Sequence, residues 1–310
     1  MEALGLSIIV PFFGIMVAGY FIGFFRVLPD NSSEVLSRFV FSVSLPALIF
    51  VSISRVPVAD FFNWPFLGTL GGGMLIMLLI GLVVARVFFS RDLTANALHG
   101  MASMYSSTAY IGLPLVLTVF GDAALAPGVI GAVITGAVFS PMVIVLAEFG
   151  RGKVEKRKLW APLLAALNRP PIIATASGLL VSAMDITLPQ TVVTFCETLG
   201  GAFVPCALFA AGLFVARCTV RGLGVEIGWL VFAKLLMHPL ITWWLAYEVF
   251  ALEGILPMVA VIQAALPCGV PVFVLAQQYG IFVTQSSATI AWSTALSVVT
   301  LSVVFLLLGI

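Results

Sequence analysis

Two short stretches bring together residue types that can hold an anion. Residues 105–121 read YSSTAYIGLPLVLTVFG, and residues 264–280 read AALPCGVPVFVLAQQYG. The first offers hydroxyls from Tyr105, Ser106, Ser107 and Thr108 just ahead of Gly112 and Pro114. The second follows Gln263 by one residue and carries Pro267, Cys268, Gly269 and Pro271. Both sit mid-way through runs hydrophobic enough to span a membrane. A helix broken in hydrocarbon frees backbone groups that lipid cannot satisfy, so such a break faces protein or a water-filled cavity. Two breaks at matching places in two halves of one chain point to a transporter's substrate site.

The chemistry expected there is recognition, not catalysis. Proline suits the first turn of a helix, where its missing N–H would be an orphan anyway. The helices are therefore expected to resume near Pro114 and Pro271, with their N-termini facing one another near mid-membrane. Each such terminus carries partial positive charge and free N–H donors. A carboxylate fits between them, held largely by backbone groups of Ser106–Pro114 and Pro267–Pro271. Cations could sit on the carbonyls freed before each break. Gln263 and Tyr105 are candidates to line the cavity or to pack between helices. No metal or cofactor is implied: Cys196, Cys206, Cys218 and Cys268 show neither metal nor disulfide spacing. GTLGGG (68–73) is not a phosphate loop, because no Lys-Ser/Thr follows. Its small residues suit close helix packing or the contact face of a homodimer.

The elements that must position these breaks are membrane helices. The chain is 62% hydrophobic and 9% charged with a mean hydropathy of +1.20, whereas soluble domains carry roughly 25% charged residues. Ten apolar runs occur, at 5–25, 34–54, 65–89, 96–119, 125–148, 160–184, 189–216, 223–249, 255–279 and 284–309. Each can cross a core of roughly 30 Å. No cleavable signal peptide or soluble domain is visible, and a net charge of +1 gives no case for nucleic-acid binding. The longest loop holds Arg151, Lys153, Lys156, Arg157, Lys158 and Arg169. Placing residues 150–168 in the cytoplasm of a cell (inner) membrane also puts Arg26, Arg86, Arg91, Arg217 and Arg221 there. Only Arg55 is then left clearly outside, with Glu2, Asp60, Asp122, Asp185, Glu253 and both termini.

The halves look like copies. At an offset of 159 residues Pro11 meets Pro170, Gly19 meets Gly178, Pro46 meets Pro205 and Phe50 meets Phe209. Gly121 meets Gly280, Ala132 meets Ala291 and Thr135 meets Thr294 at the same offset. Each half, 1–150 and 151–310, holds five runs. An odd number turns the second copy upside down, so the expected fold is an all-α membrane protein with a 5+5 inverted repeat.

At this point the residues resemble a family. SLPALIF (44–50), YIGLPLV (110–116), VPCALFAAGLFVA (204–216), FAKLLMHPL (232–240) and LPCGVPVFVLAQQYG (266–280) are similar to segments of the auxin efflux carrier family. That family includes plant PIN-type auxin carriers and bacterial malonate and malate permeases. The resemblance implies ten helices, with helices 4 and 9 broken and crossing, and an organic anion at the crossing. The family often has asparagine where this chain has Ser107, which bears on the substrate class. The expected function is secondary active transport of small organic anions, with a proton or sodium as the candidate coupling ion. A sodium-coupled symporter of the bile-acid carrier type is the alternative. An integral membrane enzyme or a channel is the other class, and two histidines with few buried acids argue against an enzyme.

Four further residues within the runs bear on the site. By counting about 1.5 Å per residue, Glu197 and Lys234 fall at similar depths. They are expected to pair, with Lys234 supporting the site and Glu197 available as a proton partner. His99 is expected in solvent at the cytoplasmic end of run 4. His238, one turn after Lys234, is expected to make a local structural bond.

Overall fold

The computed structural model describes residues 2–56, 63–89, 92–151, 167–218 and 224–310, together with the isolated positions 58 and 164. Among them every regular element is helical. Helix α1 spans Glu2–Phe24, α2 Ser32–Ile53 and α3 Trp64–Phe89. After α4 (Leu93–Met104) the chain leaves helical geometry at 105–107 and resumes as α5 (108–120). A short 3-10 turn joins α5 to α6 (125–150). Then follow α7 (Pro170–Ala183), α8 (Gln190–Val215) and α9 (Val225–Val249). The second interruption separates α10 (Leu256–Ala265) from α11 (Pro271–Tyr279), and α12 (Val283–Leu308) closes the chain.

Among the described residues six helical stretches are long and apolar enough to cross a membrane: α2, α3, the continuous 108–150 stretch, α8, α9 and α12. The runs expected at 96–119 and 255–279 are each divided by an interruption, which leaves α4, α10 and α11 at 12, 10 and 9 residues. The outer surface is apolar. Phe21, Leu79, Val83, Phe195, Leu240 and Leu306 are all exposed, an arrangement water would penalise and lipid would not.

Several helices widen into π turns where proline removes a donor. Val40–Ser44 precedes Pro46, Thr108–Gly112 precedes Pro114, and Ala233–Met237 precedes Pro239. A proline leaves the carbonyl four residues behind it without its N–H, and a widened turn is one way to re-register the ladder. Hence α5 begins at Thr108 and not at Pro114. The Ser107 carbonyl accepts from both Ile111 at 2.9 Å and Gly112 at 3.0 Å, which starts the helix early. Helix α11 begins at Pro271, as its sequence leads one to expect.

Loop ends meet in a consistent pattern. Arg217, after α8, pairs with Asp30, before α2, at 3.3 Å. Tyr279, ending α11, donates to Glu148, ending α6, at 2.9 Å, and Arg151 lies over the Tyr279 ring. Arg55, after α2, pairs with Glu197 at 2.9 Å. The basic positions Lys153, Lys156, Arg157, Lys158, Arg91 and Arg221, and Asp60, lie outside the described residues.

Candidate functional site

The two interruptions touch. Ser106 and Cys268 form an isolated antiparallel bridge. The Ser107 N–H donates to the Pro267 carbonyl and the Gly269 N–H donates to the Tyr105 carbonyl, both at 3.0 Å. The Cys268 N–H donates to the Ser293 hydroxyl of α12 at 3.1 Å. Backbone freed by each break is thus satisfied by the other break and by α12. That is how buried peptide groups persist away from water. Pro267 is placed to take part because it needs no donor partner of its own.

A cavity of about 90 Å³ opens beside this bridge. Ser106, Ser107, Thr108, Gly269 and Pro271 line it with Tyr105, against α2 and α6. That volume takes several waters, or a small carboxylate in their place. Ser107 also faces a second cavity of about 40 Å³, shared with Cys268 and with Ser33 and Ser37 of α2. The Ser106 hydroxyl is buried and makes no hydrogen bond among the described residues.

The two half-helix N-termini are not equivalent. In α5 the Ala109 and Tyr110 amides, which line the cavity, have no hydrogen-bond acceptor among the described residues. They are the open donors of a first helical turn. In α11 the Val272 amide bonds the Gly269 carbonyl at 3.2 Å, and the Phe273 amide bonds the Val270 carbonyl at 3.0 Å. Most of the donor capacity facing the cavity therefore comes from α5.

Several expected residues stand elsewhere. Gly112 and Pro114 line neither of these cavities; Gly112 lets the Leu266 side chain approach, since a Cβ there would overlap it. Gln263 is buried, and its amide donates to the Gly128 carbonyl at 3.2 Å, so it packs α10 onto α6 and does not line the cavity. His99 is fully buried and not in solvent, with the rings of Phe89 and Phe282 at 5.6 and 6.1 Å.

The expected Glu197–Lys234 pair is not formed. Glu197 is half-exposed and bonds Arg55, beyond the last residue of α2 and so near a helix end. Lys234 is fully buried, donating to the Ala264 carbonyl of α10 at 2.6 Å and lying 3.2 Å from His238 Nδ1. Counting residues gives depth but not azimuth, and the two side chains leave their helices in different directions. The local Lys234–His238 contact is as expected. One carbonyl that a cation could have used, that of Ala264, is held by Lys234.

Sequence reasoning missed Phe41, Tyr110 and Arg169. Phe41 and Tyr110 pack ring to ring at 4.6 Å on the cavity wall, and Arg169 stands at its mouth. Tyr110 lies in a quoted motif and could have been found there. Arg169 is far away in sequence and carries no local signal.

The family profile described as Membrane transport protein matches residues 5–305. The chain belongs to this family, that of the auxin efflux carriers. Its relatives are transporters by name. A Rhizobium meliloti (strain 1021) protein named "Putative malonate transporter" is 30% identical over 305 residues, covering 96% of this chain and 93% of that one. An "Uncharacterized transporter" of Methanothermobacter thermautotrophicus is 26% identical, with 93% of each chain covered. The Escherichia coli (strain K12) "Uncharacterized transporter YfdV" is 22% identical, with 94% of each covered. As a member of the family, the chain is a multi-pass membrane transport protein with a small-molecule substrate.

Proposed function

We propose that this member of the family is a secondary carrier of small carboxylates that works by alternating access, with the anion bound where the two broken helices meet. The carrying observation is the cavity beside the Ser106–Cys268 bridge. There the unpartnered Ser106 hydroxyl and the open Ala109 and Tyr110 amides converge. Preformed N–H and O–H donors lining a cavity suit a carboxylate and cost little reorganisation on binding. The name of the Rhizobium meliloti relative makes malonate the first compound to try. With the Ala264 carbonyl held by the Lys234 ammonium, a sodium ion at that carbonyl is disfavoured.

An inverted 5+5 repeat, 1–150 and 151–310, fits the packing. Gly19 of α1 lies against the Phe209 carbonyl of α8, and its repeat mate Gly178 of α7 lies against the Phe50 carbonyl of α2. The same contact is made twice with the roles of the halves exchanged. The irregular turns recur as well: α2 widens at Val40–Ser44 ahead of Pro46, and α8 breaks at Ala202 ahead of Pro205. Alternating access then follows from rocking one helix set against the crossing. The basic loop is proposed as cytoplasmic, with both termini outside.

Counterflow in liposomes tests this. External labelled malonate should accumulate against unlabelled malonate inside, and Ser107→Ala should weaken it about tenfold, the loss of one hydrogen bond to a charged group. Uptake that does not saturate, or that is untouched by Ser107→Ala, would speak for a channel or for a different site.

A further inference from the structure

The carrier reading above leaves one cation at the cavity without a role. Arg169 is the N-cap residue of α7, immediately ahead of Pro170, and it is exposed. Its guanidinium makes no ion pair and no hydrogen bond among the described residues. It lines the 90 Å³ cavity together with Ser106 and Ser107. It also lines an adjoining cavity of about 410 Å³, together with Ser140 and Gln278. Arg169 therefore stands where the larger outer space meets the small inner one.

Its surroundings accentuate the charge. The walls beside it are Phe41, Tyr110, Pro171 and Pro271, which line both cavities and bring no carboxylate. Among the described residues no acidic side chain lines either space. A guanidinium with no carboxylate partner among the described residues, at the rim of a space this apolar, is a strong place for an anion, and its planar fork matches a carboxylate. The second observation is the buried, unpartnered hydroxyl of Ser106 on the same cavity. The site thus presents two anion-recognising ends, with hydroxyl and amide donors inside and a guanidinium at the mouth.

We infer that Arg169 is the specificity residue that makes this site select short dicarboxylates over monocarboxylates. One carboxylate reaches the inner donors, and the second is held by the Arg169 guanidinium at the mouth. This inference rests on the carrier reading, because the inner donors must take the first carboxylate. A monocarboxylate of the same length uses only the inner end and gains nothing from Arg169. Arginine is needed and not merely positive charge, because lysine offers a point charge in place of the fork.

The test uses the full-length protein purified in detergent, with malonate and propionate as probes of similar length. Binding is read by calorimetry in low salt and again in 0.5 M (about) sodium chloride, where interactions between separated exposed charges are screened. The wild type should bind malonate at least about tenfold tighter than propionate. Arg169→Gln should remove that preference by weakening malonate and leave propionate within about twofold. Arg169→Lys should recover only part of the preference, and the pattern should persist in high salt. An unchanged malonate-to-propionate ratio in Arg169→Gln overturns the inference, as does a loss that vanishes in high salt. If propionate binding is lost in Ser107→Ala while Arg169→Gln leaves the ratio intact, the carrier site stands and only the dicarboxylate role falls. If neither probe binds the wild type saturably, both fall together.

Discussion

Gly269 lies so close to Tyr105 that a Cβ on it would stand 2.8 Å from the tyrosine ring. The same glycine donates its N–H to the Tyr105 carbonyl. Side chain and backbone of one residue in the first break are therefore both seated on one residue of the second. Only glycine allows this spacing, so the distance between the two half-helices is set by the absence of a side chain.

Gly269→Ala should push the breaks apart. An added methyl in a packed site costs on the order of 1–3 kcal/mol. Transport should be lost while the protein still purifies as a folded monodisperse species. Gly71→Ala is the control, because nothing lies within 4 Å of a Cβ at Gly71. Normal transport by Gly269→Ala would show that the Tyr105 contact does not position the site.

Lys234 links α9 to the end of α10, at Ala264, two residues before the second interruption begins at Leu266. Lys234→Met keeps length but removes a charge-assisted hydrogen bond worth on the order of 1.5–3 kcal/mol. The expected result is a fall in counterflow of about tenfold or more, larger than any fall in the amount of folded protein. Full transport by this variant would reduce Lys234 to a packing residue.

Glu197 should prove dispensable for coupling. Its pair with Arg55 has both side chains at least half exposed, and such pairs contribute on the order of 0–1 kcal/mol. Glu197→Gln is expected to leave the melting temperature nearly unchanged and the pH dependence of transport intact. A displaced pH profile would reinstate Glu197 as a proton carrier despite its half-exposed place beside the end of α2.

The proposed orientation makes its own prediction. A cysteine introduced at Glu155, in a background without reactive native cysteines, should be modified only from the cytoplasmic side. Modification by an impermeant reagent added to intact cells would invert the topology and place the cavity mouth on the other face.

The breaks were legible because glycine and proline stand out in apolar runs, and Pro271 opens α11 as read. The start of α5 was misplaced by several residues, because a π turn ahead of Pro114 has no signature beyond the proline itself. Ten apolar runs were legible, yet those at 96–119 and 255–279 are not single helices, since hydropathy continues through an interruption that hydrogen bonding does not. Polar residues were read by depth, which is a one-dimensional quantity. Their partners depend on azimuth, and so Glu197 turned away from Lys234 and His99 from solvent, while Gln263 took the packing place between helices, one of the two open to it. Arg169 looked like one more loop charge, because its place at the cavity mouth depends on contacts far off in sequence.

The central claim is that a carboxylate binds at the meeting of the two breaks. A cryo-electron microscopy map of the full-length protein in saturating malonate tests it most directly. The account predicts ligand density in the cavity beside the Ser106–Cys268 bridge, within hydrogen-bond reach of the Ser106 hydroxyl and the Ala109 and Tyr110 amides. Density for malonate against the 151–158 loop, with the cavity holding only water, would contradict it.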